Sequence, residues 1–320
     1  MKFAVVAHRR SATNLALVAA ARRCGFHADV VGPHRALAVL GRGDIALARL
    51  DVREGLDGIE SGTGELERLA AEGVEVLNPP RALVAAHDKL LTARLLRLAG
   101  LPHPHTTLLA ASVPSAVPEL PVVIKPRFGS WGREVELCSS AGELEEALAR
   151  AQSRQWFREQ GAIAQELVEP RGSWLEAPSA EPPAPGRRAW DLRVVVAGGR
   201  VVGSAKRVAL PGEWRTNAAL GANVVPAEAP ALARTLALAA VDAVGADLAG
   251  VDLLPTRGGY VVIEVNGAVD FRQLYAVAGS VGGKAADAQQ GHGAGDVFAD
   301  SVAALLGALA RRRPAELAAV

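Results

Sequence analysis

Two cysteines and a single methionine supply all the sulfur in 320 residues, and aromatic residues make up only 4% of the chain. Cys24 and Cys138 stand far apart, without partners at metal-ligand spacing. Neither a disulfide framework nor a zinc site is indicated, and a reducing, cytoplasmic setting is expected. Charge of neither sign dominates: 35 Lys and Arg face 34 Asp and Glu. That balance speaks against a broad nucleic-acid footprint and makes any anion site local. No uninterrupted apolar run approaches the roughly 20 residues of a membrane helix, so no membrane partner is expected. The opening MKFAVVAHRR has only a short apolar run that ends in basic residues, and it reads as a first strand rather than a leader. The segment after it, AHRRSATN, lacks the GxGxxG pattern, which opposes a nicotinamide oxidoreductase. No internal repeat is evident.

What is present is a clear alternation of elements. KFAVVA, HADVVG, DIALARL and VEVLN read as short buried strands. ATNLALVAAARRC, with Ser11 as N-cap and Gly25 closing it, and GELERLAAEG read as helices. This predicts an open, mostly parallel α/β sheet that ends at the Pro-Pro pair near residue 80. HDKLLTARLLRLAG follows as a helix stopping at Gly100, with LPHPH as an extended connector. PVVIK, EVELC and AIAQELV read as strands around a helix starting near Ser140, forming a small α+β lobe. EPRGSWLEAPSAEPPAPGRRA is too rich in Pro, Gly and Ala for a regular element and reads as an insertion or lid. WDLRVVVAGGRVVGSAKRV predicts a hairpin turning at its Gly pair, and a long helix runs from about Pro230 to Val244. AGVDLLPT and GYVVIEVN predict a second hairpin before the closing helices.

The densest chemical signal lies on that second hairpin. Side chains alternate along a strand, so Glu264 and Asn266 share a face and Asp252 joins them from the neighbouring strand. Two carboxylates on an otherwise apolar sheet repel each other unless a cation lies between them, and an all-oxygen donor set favours Mg²⁺. The competing reading is a pair of solvated acids at strand ends. Lys125 ends an apolar strand and leads at once into Gly129, Ser130, Trp131 and Gly132, where the backbone can bend towards an anion. The competing reading there is an exposed strand terminator. Lys89 sits in the first helical turn behind Asp88, against the helix dipole, which a facing phosphate would explain; an ordinary surface lysine is the alternative. His8, Arg9 and Arg10 at the end of the first strand would meet an acidic ligand or form a solvated loop. Trp131 would pack over a bound ligand or, as a Trp inside a flap more often does, fill an apolar gap, and Cys24 is expected to lie in the core.

Taken in order, DK, VVIKP with its Gly-rich loop, QELV, DLRV, WRTN, GVDLL and EVN resemble the ATP-grasp enzymes, and among them the RimK-like carboxylate-amine ligases, over nearly the whole chain. GSWGR, GLPHPHT and the DF after EVN most resemble the LysX-type ligases, which act on a small carrier protein. The resemblance implies an ATP-grasp fold of the mixed α/β class with α+β lobes. It divides into an N-terminal α/β domain over 1–85, a connecting helix and central lobe over 86–168, and a C-terminal lobe over 169–320 with a flexible insertion at about 169–189. It implies that Lys89 and Lys125 contact ATP phosphates beneath the Gly129–Gly132 loop. Gln165, Glu166, Leu167 and Val168 would hold adenine through main-chain groups, and Glu169 the ribose. Asp191 and Arg193 would lie beside the nucleotide, while Arg207, Arg215 and Asn217 would serve triphosphate and acceptor. Asp252, Glu264 and Asn266 would bind Mg²⁺, as two ions, with Mn²⁺ a possible substitute. The implied reaction joins glutamate or α-aminoadipate to the C-terminal glutamate of an acidic carrier protein or peptide through an acyl phosphate. A homodimer or homotetramer is implied as well.

The chain departs from this pattern in places. Leu220 and Ala222 stand where the family has arginine and glycine after WRTN, and Gly267 and Ala268 stand where the carrier-protein ligases have bulkier or hydroxylated residues. A ligase making a small dipeptide or natural-product amide, and a nucleotide-binding protein without turnover, therefore stay open. Asp270, Phe271 and Arg272 keep an acidic-aromatic-basic trio.

Overall fold

A computed structural model describes residues 1–110, 117–168, 188–276 and 295–317. The expected insertion at about 169–189, with Glu169 and Trp174, lies almost wholly outside the described residues.

The first unit is a four-stranded parallel sheet of β1 (Lys2–Val6), β2 (His27–Val31), β3 (Ile45–Ala48) and β4 (Glu75–Leu77), in the order β2-β1-β3-β4. Both faces of β1 are covered: Phe3 and Val5 join one apolar cluster, Ala4 and Val6 another. This is why its sequence is a continuous apolar run. Helix α1 (Ala12–Arg23) starts where Ser11 Oγ accepts from Asn14 N. Cys24, expected in the core, is the exposed C-cap residue of α1. Between the strands lie α2 (Pro33–Val39) and α3 (Thr63–Ala71). The Pro-Pro pair starts a helix rather than ending the unit: Pro80 opens α4 (Pro80–His87), a position where a missing N–H costs nothing. Asp88 then caps α5 (Lys89–Leu98), accepting from Leu90 N and Leu91 N.

The middle sheet has the order β5-β8-β6-β7, built from β5 (Thr106–Leu109), β6 (Val122–Pro126), β7 (Glu136–Cys138) and β8 (Ala162–Glu166). Helices α6 (Ala141–Gln152) and α7 (Gln155–Gln160) pack over it. The third sheet, β11-β10-β9-β12-β13, is antiparallel. It contains β9 (Trp190–Ala197), β10 (Arg200–Val208), β11 (Asn223–Pro226), β12 (Leu248–Thr256) and β13 (Gly259–Asn266). Both expected hairpins form. The first turns at Gly198 and Gly199, whose φ of 54° and 76° suit the twist-matched two-residue turn.

Alternation along β9 assembles the molecule. Val194 and Val196 face α8 (Ala231–Val244), whereas Val195 and Ala197 enter the cluster shared with Phe3, Leu17 and α9 (Val297–Leu317). The parallel sheet and the third sheet thus share one core, which brings the C-terminal ends of β1 and β3 against the end of β13. Arg49, 3% exposed, reinforces this by donating to Val269 O and Ala268 O, and Thr13 exchanges hydrogen bonds with Phe271. Among the described residues no helix is long and apolar enough to cross a membrane.

Candidate active site

The site forms where β6, α5 and the β12–β13 hairpin meet. Asp88 organises the junction. Besides capping α5 it accepts two bonds from Arg127 at the end of β6, and Lys89 N donates to Arg127 O. This anchors the first turn of α5 beside the loop after β6. Lys89 Nζ consequently reaches Glu264 Oε1 at 2.5 Å and Gly129 O at 2.8 Å. Lys125 Nζ donates to Gln165 Oε1 at 2.6 Å, and Gln165 Nε2 donates to Thr106 Oγ1 at 3.0 Å. Burial and the neighbouring Lys89 draw Lys125 down to about 8, against the pull of Glu264 and Asp252. The pair of lysines is therefore poised for additional negative charge.

Opposite them lies a buried ion network. Arg193 makes two bonds of 2.7 Å to Asp252, and Arg207 pairs with both Asp191 and Asp252. Thr216 Oγ1 donates to Asp191 at 2.6 Å. Burial alone would raise Asp252, but Arg193 and Arg207 outweigh it and hold the carboxyl at about 2. At Asp191 burial prevails over the pull of Arg207 and the value rises. Arg207 moves well upward, the attraction of Asp191 and Asp252 overcoming its burial.

The carboxylates of the expected metal trio are balanced otherwise than the sequence implies. Asp252 and Glu264 do face each other across the β12–β13 ladder, and Asn266 is two residues along. Their mutual repulsion, however, is relieved by the protein's own cations, Lys89 on one carboxylate and two arginines on the other. Among the described residues no group of three His, Cys, Asp or Glu side chains gathers for a metal. The donor set still fits a hard cation. Asp252 and Glu264 offer carboxylate oxygens and Asn266 an amide oxygen, the all-oxygen set that suits Mg²⁺, while Asn266 Nδ2, buried and unpartnered among the described residues, is a donor left over for an anion. Asp252 would contribute an oxygen that already accepts from guanidinium.

The Gly-rich segment folds as a flap over this junction. Trp131 and Gly132 both take left-handed backbone conformations, with φ of 62° and 71°. Arg215 Nη1 donates to Gly132 O while Glu213 holds the same guanidinium, so Arg215 clamps the flap. A side chain at residue 132 would come within 2.8 Å of Asn217 Oδ1 and 3.1 Å of Leu220 Cδ1. Trp131 does not fill an apolar gap: it is 45% exposed, with Arg9 and Arg133 each 5.5 Å from its ring. Arg9 also pairs with Glu54, so the end of β1 meets the flap.

One cleft is lined by Lys89, Lys125, Ser130, Gly132, Leu167 and Val168, as well as the Asp191–Arg207 pair. Gln165 faces it with its side chain, because its main chain sits in the ladder between β5 and β6. Leu167 N donates to Pro121 O, and Glu166 Oε2 accepts from His105 N. A second cavity, of about 400 Å³, opens on the other side of Glu264 towards Asp51, His87 and Arg272. Arg207, Asn217, Glu264 and the flap residues Ser130 and Trp131 line both. His87, Asp88, Arg127 and Asn78 carry no motif of their own. Only the position of Asp88 before a helix gave a local signal.

The sequence profile of the RimK-like ATP-grasp domain matches residues 86–281. A probable alpha-L-glutamate ligase of Xanthomonas oryzae pv. oryzae is 31% identical over 228 residues, covering 68% of this chain and 69% of that protein. Solved structures share the fold. A RimK domain ATP-grasp protein of Sphaerobacter thermophilus gives a TM-score of 0.59 at 21% identity, covering 96% of this chain and 100% of that one. The D-alanine–D-alanine ligase of Bacillus anthracis, complexed with ATP, gives 0.62 at 18% identity with 99% of both chains covered. With the profile spanning more than half the sequence, and paired lysines facing a carboxylate hairpin beneath a Gly-rich flap, the chain belongs to the RimK-like ATP-grasp family of ATP-dependent ligases.

Proposed function

We propose that this protein joins the amine of an α-amino acid, L-glutamate first among candidates, to a carboxylate on a peptide or small carrier protein at the expense of ATP. The observation that carries this reading is the pair of cavities meeting at Glu264, Arg207 and Asn217. One has the lysines suited to phosphate and the other has room for an acceptor. The name of the Xanthomonas relative supports glutamate, and GSWGR supports a carrier protein.

A carboxylate is a poor acyl donor. In the proposed reaction its oxygen attacks the γ-phosphorus of ATP, ADP departs, and an acyl phosphate forms. The amine then attacks the acyl carbon, phosphate leaves with the bonding electrons, and the nitrogen loses a proton. Lys89 and Lys125 hold the phosphates in line through fixed charge, which is the main demand of phosphoryl transfer. Mg²⁺ held by Glu264 and Asn266, with Asp252, would neutralise charge on the phosphate oxygens. The ion network keeps Arg207 rigid at the junction, and the flap excludes water from the reactive acyl group.

The test is ADP release by the purified protein with Mg²⁺-ATP and pools of amino acids, offered with a glutamate-terminated peptide or an acidic carrier protein ending in glutamate. ADP that depends on both acceptor and amino acid, with a matching mass increase on the acceptor, is the expected result. Nucleotide binding without hydrolysis in every pool overturns the reading in favour of a non-catalytic binding protein.

A further inference from the structure

His87 ends α4 immediately before Asp88, at a position no motif singles out. It is 5% exposed, yet it lines the second cavity, and its Nε2 has no hydrogen-bond partner among the described residues. The backbone of Leu50 acts on the ring as a hydrogen-bond acceptor that raises its pKa, and since Nε2 is unpartnered the nitrogen facing it is Nδ1. A ring N–H donated there leaves a lone pair on Nε2 in the neutral tautomer. Burial, followed in the same direction by Lys89, lowers the ring's pKa, although Asp51 and Glu264 oppose. His87 is thus a buried acceptor awaiting a donor; Arg193, Arg207 and Arg272 share the cavity with the acids, but the carboxylates that act on the ring are Asp51 and Glu264, which favour a donor that carries positive charge or sheds a proton.

Gly267 explains why the nitrogen is bare. A Cβ at this position would lie 3.5 Å from His87 Nε2 and 3.2 Å from Leu83 Cδ2. The side chains larger than glycine that the resemblance places here would stand over the imidazole, and a hydroxyl would satisfy it. The departure noted in the sequence therefore removes a cover from a functional group.

We propose that His87 and Gly267 form an amine subsite, in which Nε2 accepts a hydrogen bond from the primary amine of the incoming amino acid and turns it towards the junction of the two cavities. This rests on the ligase reading above and assigns the amine its place within it.

The test uses the full chain with Mg²⁺-ATP, a glutamate-terminated peptide and L-glutamate as the varied amine. His87→Leu should raise the KM for L-glutamate by about tenfold or more, the worth of a hydrogen bond to a charged partner, and leave the KM for ATP unchanged. His87→Gln, whose amide oxygen can accept in place of Nε2, should recover most of the loss. Gly267→Ser should act like His87→Leu by covering the nitrogen. An unchanged KM for L-glutamate in His87→Leu, or equal damage to both KM values, overturns the proposal. A second measurement does not depend on turnover. In protein with ¹⁵N-labelled histidine and saturating ADP, the Nε2 resonance missing from His87→Leu should shift with L-glutamate or methylammonium and stay fixed with glutarate, which lacks the amine. Failure of turnover in every pool combined with this shift would sink the ligase reading alone. A resonance unmoved by both amines, or moved equally by glutarate, would sink the amine subsite.

Discussion

Lys89 Nζ lies 2.5 Å from Glu264 Oε1, although 175 residues separate them in the chain. The pair ties the start of α5 to the hairpin that carries the oxygen donors. It also occupies the place where the proposed reaction brings phosphate and Mg²⁺, so the two partners must exchange each other for ligands. Glu264→Gln should keep the fold and nucleotide binding while lowering ADP release by about 100-fold or more, as removal of a preorganised charge does. Lys89→Met should weaken ATP binding itself. Calorimetric ATP titrations beside initial rates separate the two effects. Near-native rates in Glu264→Gln would remove Glu264 from the proposed metal site.

Lys125 sets a pH dependence. Its folded value of about 8 lies below the ordinary 10.5, with burial as the leading cause. The unfolded chain therefore binds more protons between those values, and this group makes the fold more stable as pH rises from about 8 to 10.5. Nucleotide binding runs the other way, because phosphate favours the protonated amine. ATP binding at pH 8 should take up protons, seen as a dependence of the calorimetric heat on buffer ionisation enthalpy. The uptake should vanish in Lys125→Arg, whose guanidinium keeps its proton. Identical heats in all buffers for the wild type would show that Lys125 does not meet phosphate.

The ion network predicts where stability is most fragile. Asp191 and Arg207 are 4% and 3% exposed, and Thr216 joins them through Asp191. Removing Asp191 leaves Arg207 buried with one carboxylate, Asp252, instead of two, which costs up to about 3–5 kcal/mol. Asp191→Ala should therefore lower the denaturation midpoint sharply, whereas Asp191→Ala with Arg207→Met should recover part of the loss. Urea titrations of the two variants decide this. No recovery in the double variant would mean that the carboxylate acts through packing rather than charge.

Elements with clean periodicity were legible in the sequence. The parallel strands announced themselves as apolar runs, Ser11 and Asp88 marked helix starts, and the Gly pair marked its turn, because each of these signals is local. Helix α4 was missed because Pro80 serves as a first helical residue, where proline usually reads as a breaker. That Lys89, Lys125 and Glu264 line one cleft followed from motif order, whereas the partners that hold such groups in place were invisible. Asn78 shows why. Its side chain accepts from Leu248 N and donates to Gly267 O, binding the start of β12 to the turn after β13. Arg49 reaches Val269 O across 220 residues. Nothing near either residue encodes so distant a partner. The same limit hid the relief of the Asp252 and Glu264 charges by cations on other strands and helices.

Leu220 ties a family departure to the flap. A Cβ on Gly132 would meet Leu220 Cδ1 at 3.1 Å, so the leucine that stands in for the family arginine packs against the flap tip instead of presenting charge. In the proposed reaction a closed flap protects an acyl phosphate from water, and the contact at Leu220 is apolar and therefore shields without hydrolysing. Leu220→Ala should loosen the seal while leaving Lys89, Lys125 and Glu264 in place. ATP consumption should continue, but phosphate released per ligated product should rise above one as water competes with the amine. Gly132→Ala should be more severe, since its φ of 71° is strained for alanine and its Cβ would meet Asn217 Oδ1 at 2.8 Å, so both ADP release and product should fall. The ratio of phosphate to product, measured for both variants at saturating ATP, separates leakage from failure to close. A ratio held at one in Leu220→Ala, with the rate also unchanged, would show that the flap seals without this residue.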